Sequence, residues 1–169
     1  MRLLHLSCAA LLILASCSAG DIRDSNIEKV KGSPATATEM EYTLTVQEQF
    51  WFRQGGGYEA SPDMTVREVI ARGKEILPEP VPLPPNARYQ GKPLADIRFG
   101  DISDSELEYR LSSEITSREY MAFFTMVDGL RQSDPDGLAG TPIGTLLERA
   151  RANARKERER IEQETAEKE

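Results

Sequence analysis

Apolar residues are unevenly spread along the chain, and their spacing divides it into a leader, a polar stretch and a series of short helices. Residues 3–14 are apolar apart from His5, Ser7 and Cys8. This run is too short to span a bilayer as a permanent helix. With Arg2 in front and small residues behind, it reads as an export signal over residues 1–16. Residues 18–39 are polar and small, include Gly20, Gly32, Ser33 and Pro34, and keep no periodicity. Such a stretch reads as a flexible tether with an r.m.s. reach of roughly 25 Å.

From Tyr42 onward two patterns compete. Tyr42, Leu44, Val46, Phe50 and Phe52 fall on one face at period two, as in a strand broken by Glu48. Thr45 and Glu48 have the spacing of a capping box, and Gly55 suits the stop of a helix over residues 46–54. The helix is favoured, with the strand left open. Gly55-Gly56-Gly57 breaks either element and lacks the spacing of a phosphate cradle, so a mobile loop is expected.

The clearest helix covers residues 66–77. Thr65 and Glu68 form a capping box, and Met64 and Val69 occupy the staple positions. Val66, Val69, Ile70, Gly73, Ile76 and Leu77 make one stripe, and Pro78 ends it. Five prolines in residues 78–85 predict a stiff polyproline spacer, and Pro82 and Pro85 also match a motif for proline-binding grooves. Residues 86–100 read as irregular or as a short hairpin. Ser103 with Glu106, and Thr116 with Glu119, start two more helices, stapled by Ile102–Leu107 and Ile115–Tyr120. Tyr120, Phe123, Phe124, Val127 and Leu130, thickened by Met121 and Met126, mark the centre of the core. Residues 133–137 form a turn. Thr141 then caps a final charged helix with Pro142 at its first position. If continuous to residue 169, that helix is roughly 43 Å long. No internal repeat is visible.

The fold class that follows is mainly α: a small helical domain on a flexible tether, with a long charged C-terminal helix. The expected divisions are residues 1–16 signal, 17–39 anchor and tether, 40–140 helical domain with its spacer at 78–85, and 141–169 C-terminal helix. At 169 residues there is room for one domain.

Charge narrows the partners. The formal net charge is −7; without Arg2, 20 basic residues face 28 acidic ones from Cys17 onward. Phosphate backbones repel such a chain, so nucleic acid is not an expected partner. The cysteines are Cys8 and Cys17, and the sole histidine is His5. Downstream of the leader there is therefore no internal disulfide, no usual zinc set and no histidine general base.

The run Leu14-Ala15-Ser16-Cys17 resembles the lipobox of bacterial lipoproteins. The resemblance covers only the leader and its junction. It implies cleavage before Cys17 and acyl chains on that residue; two or three chains give stable membrane residence. At the next position stands Ser18. In the sorting rule of two-membrane lipoproteins, Asp there favours the inner membrane, while serine is similar to what outer-membrane members carry. The expected location is the periplasmic side of the outer membrane.

Other chemistries lack their residues. No Ser-x-x-Lys occurs. Asp101, Asp104, Glu106 and Glu108 cluster, but three of them fall in the first turn of an expected helix, where acids serve capping and the dipole. The 133–137 turn resembles a fragment of a calcium loop without its other ligands. Nothing is similar to the peptidoglycan-binding motif of outer-membrane-protein-A-like domains. The Glu-Lys-Glu end departs from the terminal lysine by which the murein-linked lipoprotein attaches to the wall. Neither cofactor nor small-molecule substrate is expected. A non-enzymatic envelope adaptor or assembly factor, held by its acyl chains and meeting a protein partner, is the favoured function. A lipoprotein that excludes a toxin, phage or conjugation partner is the alternative. Within the favoured reading, Ser18→Asp shifts the protein from the outer- to the inner-membrane fraction of a density gradient. A wild type already in the inner-membrane fraction contradicts the sorting argument.

Overall fold

The computed structural model describes residues 20–79 and 82–167. It is mainly helical, with eight α-helices and no strand among those residues. They are α1 (Ile27–Lys31), α2 (Pro34–Thr43), α3 (Val46–Gln54), α4 (Val66–Ile76), α5 (Asp104–Glu114), α6 (Ser117–Ser133), α7 (Pro135–Gly140) and α8 (Ile143–Ala166). Four single 3-10 turns accompany them at Ile22–Asp24, Gly57–Glu59, Leu94–Asp96 and Phe99–Asp101.

Most of the helix starts expected from the sequence are present, and their caps show why. Thr45, Thr65 and Thr116 each accept the N3 amide and in turn receive the N3 glutamate on their own amide. Residues 46–54 are thus helix, which settles the strand–helix ambiguity. At Ser103 only half of the box forms: its hydroxyl accepts the Glu106 amide at 3.3 Å, while the Glu106 carboxylate turns elsewhere.

These helix starts also meet one another. The extended residue before a helix forms an antiparallel bridge with the residue before another: Asn26 with Thr65, Thr45 with Thr116, and Arg98 with Pro142. The first helical amide, which has no partner within its own helix, donates across the bridge. Ile27 N–H reaches Met64 O at 2.9 Å and Val66 N–H reaches Ser25 O at 3.0 Å. Val46 N–H reaches Ile115 O at 3.2 Å. Ile143 N–H reaches Ile97 O at 2.8 Å, and Phe99 N–H reaches Thr141 O at 2.9 Å.

Two apolar clusters result. The N-terminal one gathers Ile22, Ile27, Val30, Met40, Leu44, Phe52, Ala60, Val66 and Val69. The C-terminal one centres on Phe123, fully buried, with Leu107, Leu111, Val127, Ile143, Leu146 and Ala150 around it. The aromatic stripe is therefore core as expected, but Met121 is 64% exposed. The clusters join at the Thr45–Thr116 bridge and through two ion pairs, Glu41–Arg118 and Glu39–Arg158.

Several expectations are corrected. The tether over residues 18–39 does not extend through residues 20–39. These form the first 3-10 turn, α1 and the start of α2, and bury Ile22, Ile27 and Val30. The reason is dual use of punctuation residues. Gly32 ends α1, Ser33 caps α2 and Pro34 is its first residue. The domain therefore begins about twenty residues before the expected boundary at 40. The expected turn over 133–137 is the start of α7, whose cap is Asp134. Thr141 ends α7, and Pro142 precedes α8 as its cap residue. Ile76 and Leu77, assigned to the buried stripe of α4, are 58% and 38% exposed.

The triple glycine is not a loose loop. Gly56 and Gly57 have φ of 110° and 53°, the left-handed region open to glycine. Gly55 has ordinary φ but touches α4: a Cβ there would meet Val69 O at 2.0 Å. Across the contact, a Cβ on Gly73 would meet Trp51 O at 1.8 Å. These two glycines let the backbones of α3 and α4 cross in contact. Gly73→Ala should accordingly cost on the order of 3 kcal/mol. Gly129→Ala, at an exposed site in α6 with nothing within 4 Å, should gain about 0.5–1 kcal/mol. Thermal unfolding followed by circular dichroism checks both; equal midpoints for the two variants would refute the crossing argument.

Candidate functional site

Three regions carry the residues singled out in the sequence: the anchor junction, the acidic cluster and the C-terminal helix. Cys17 and Ser18 lie outside the described residues. What the structure shows is how firmly the chain is held directly after them. Asp21 caps the first turn, its carboxylate accepting the Arg23 amide at 3.0 Å. The Arg23 guanidinium donates to both oxygens of Glu48, at 3.0 and 2.7 Å, and to Thr43 O at 3.1 Å. Arg67 pairs with Asp24 at 2.9 Å and Asp21 at 3.6 Å. Glu48 thus serves two ends at once, capping α3 and gripping the N-terminal turn. No sequence motif announces this lock. The one legible signal was Ile27 and Val30, three residues apart on a helical face.

The acidic cluster is dispersed into structural contacts. Glu106 is 2% exposed, and its two oxygens accept the amides of Arg88 and Tyr89, both at 3.0 Å. One helical turn on, Arg110 donates to the carbonyls of Tyr89 and Lys92. Between them, Glu106 and Arg110 fasten the segment that follows the proline-rich stretch onto α5. Asp104 pairs with Arg131 at 3.0 Å. Glu108 accepts from the Tyr120 hydroxyl at 3.3 Å. Burial and the charge of Glu108 push that phenol up to about 12. Asp101 ends the 3-10 turn Phe99–Asp101 and is exposed. The first of the two aspartates of the calcium-like turn, Asp134, spends its carboxylate on the Gly137 amide at 3.0 Å. Among the described residues, no three His, Cys, Asp or Glu side chains come together as metal ligands do.

The C-terminal helix is core in its first half and borders two hollows in its second. Ile143, Leu146, Leu147, Ala150 and Ala154 are buried, so the first half of α8 is core. Its charged half continues along α2. There Pro34, Ala35, Thr38, Tyr42, Ile161 and Ala166 line an apolar groove of about 510 Å³, crossed by the Glu39–Arg158 pair at 2.8 Å. On the other side of α8 a second hollow, about 390 Å³, is lined by Arg118, Met121, Ala122, Asn153 and Ala154. Tyr42 lies in both. The guanidinium groups of Arg118 and Arg158 stand 5.5 and 5.6 Å from its ring centre. Burial raises its phenolic pKa, and its hydroxyl has no hydrogen-bond partner. The groove is suited to apolar side chains of an extended peptide or a helix, with charges along its edges.

No family model, curated protein or solved structure matches this chain.

The Arg23–Glu48 lock has a pH signature. Burial opposes ionisation of Glu48, but the Arg23 guanidinium and the Thr45 amide outweigh it, so its carboxyl titrates below the ordinary value of 4.5. A depressed carboxylate stabilises the fold above its unfolded pKa, and that stability is lost as pH falls through the folded one. Wild type should therefore lose stability below about pH 4.5. Glu48→Gln should be less stable than wild type at pH 7 and show a shallower acid slope in urea unfolding. Parallel slopes would remove Glu48 from this role.

Proposed function

We propose that this chain is a lipid-anchored, non-enzymatic envelope protein that works as an adaptor or assembly factor. The observation that carries the reading is the Leu14-Ala15-Ser16-Cys17 run behind an apolar stretch of export-signal length. Two features support the adaptor role. Three of the four clustered acids, Asp104, Glu106 and Glu108, are engaged in structural contacts, Glu106 most completely. The half of α8 beyond Ala154 continues past the core and, with α2, leaves an apolar groove with charged edges. In this reading a protein partner of the envelope lays an apolar helix or strand into that groove. Ser18 directs the protein to the outer membrane, on its periplasmic side.

Metabolic labelling with a clickable palmitate analogue tests the anchor. Wild type should carry the label and pellet with membranes. Cys17→Ala should lose the label and either keep its leader or appear in the soluble fraction. Equal labelling of the alanine variant would overturn the proposal.

A further inference from the structure

We infer that the surface formed by the first 3-10 turn and α1, beside the α2–α8 groove rather than in it, rests on the lipid headgroups. The inference builds on acylation of Cys17. Four residue steps separate Cys17 from Asp21, and covalent geometry limits them to roughly 14 Å when fully extended. Asp21 is not free to swing outward. It caps the first turn, and the neighbouring Arg23 is bound to Glu48 and to Thr43 O on the body of the domain. The acyl chains are therefore held close to one defined side of the fold rather than at the end of a long leash.

That side is identified by its lining. Gly20, Asp21, Asp24, Ser25, Asn26 and Lys29 border a single open hollow. The charge there suits a headgroup surface. Residues 20–36 carry three acids and three bases, whereas the chain from Cys17 onward carries 28 acids against 20 bases. The excess negative charge lies elsewhere, so this side escapes the repulsion that an anionic leaflet exerts on the rest. None of the described helices is long and apolar enough to cross a bilayer, which makes the contact peripheral. Arg158 of α8 borders an adjoining hollow with Gly20 and Asp21. Fifteen residues separate Arg158 from Ile143 on this helix, a rise of about 22 Å. Beyond Ile143 lies α7, which carries the exposed Asp136.

The test uses the lipidated full-length protein, purified from its own envelope and placed in vesicles of phosphatidylethanolamine and phosphatidylglycerol. With the Cys17 sulfur occupied by its diacylglyceryl thioether and Cys8 removed with the leader, Asn26→Cys, Lys29→Cys and Asp136→Cys each present one free thiol for a fluorescent maleimide. All three positions are exposed, and retention of the helical spectrum is checked for each. A quencher carried on the lipid headgroups should quench positions 26 and 29 several-fold more than position 136. Equal quenching at all three, or stronger quenching at 136, overturns the proposed surface. In the same samples, mass spectrometry of the tryptic peptide 17–23 reports the acyl chains. Their absence overturns the anchor and the surface together, whereas acylated peptide with the wrong quenching pattern overturns the surface alone.

Discussion

A helix leaves the amides of its first turn without partners, and this protein, built from many short helices, faces that cost repeatedly. Its answer is to join helix starts in pairs. At three such pairs, Asn26–Thr65, Thr45–Thr116 and Arg98–Pro142, the extended residue before a helix or 3-10 turn bridges to its counterpart, and the first helical amides of Ile27, Val66, Val46, Phe99 and Ile143 find carbonyls on the other chain segment. The arrangement brings the positive ends of two helix dipoles together, which alone is unfavourable. The N3 glutamates offset it. Glu48 and Glu119 stand at the two starts joined through Thr45 and Thr116, and Glu68 stands at the start joined to Asn26. Residues just before the helices close the unit from inside: Leu44, Ile97 and Ile115 are all at most 1% exposed.

Much of this was legible because it is local. A Thr–x–x–Glu box and an aliphatic residue before it lie within six positions of one another, and the sequence marks them at 44–48, 64–68 and 115–119. The pairing of these starts was not legible, since nothing within a five-residue pattern says which other copy it will face. The N-terminal segment was misread for a related reason. Gly32, Ser33 and Pro34 are the residues of loops and equally of a helix stop, cap and first position, and only the burial of Ile27 and Val30 tells the two apart. Of the site residues, Cys17 and Ser18 are read from the sequence alone. The groove between α2 and α8 depends on contacts such as Glu39–Arg158, 119 residues apart, that no periodicity encodes.

The joint between the two clusters is more polar than either cluster. Tyr42 lies between two guanidinium groups, each already engaged by a glutamate, so charge is neutralised where the halves meet. Ion pairs of this partly exposed kind contribute little individually. The specificity of the joint therefore rests on the Thr45–Thr116 bridge and on the shape of Tyr42, with the pairs setting register.

The fastening of the proline-rich segment by Glu106 and Arg110 has a consequence for how the molecule could be taken apart. The segment passes from one cluster to the other, and its far end is tied to α5 by the Glu106 and Arg110 side chains holding its backbone, with Tyr89 packed against the C-terminal cluster. Each cluster has its own paired helix starts, Asn26–Thr65 in one and Arg98–Pro142 in the other. A chain cut within the prolines would thus yield two fragments, each holding a nearly complete set of its own contacts and sharing the Thr45–Thr116 bridge. Such a protein is suited to reassembly from separately expressed pieces, and in the intact chain the strap raises the local concentration of one half around the other.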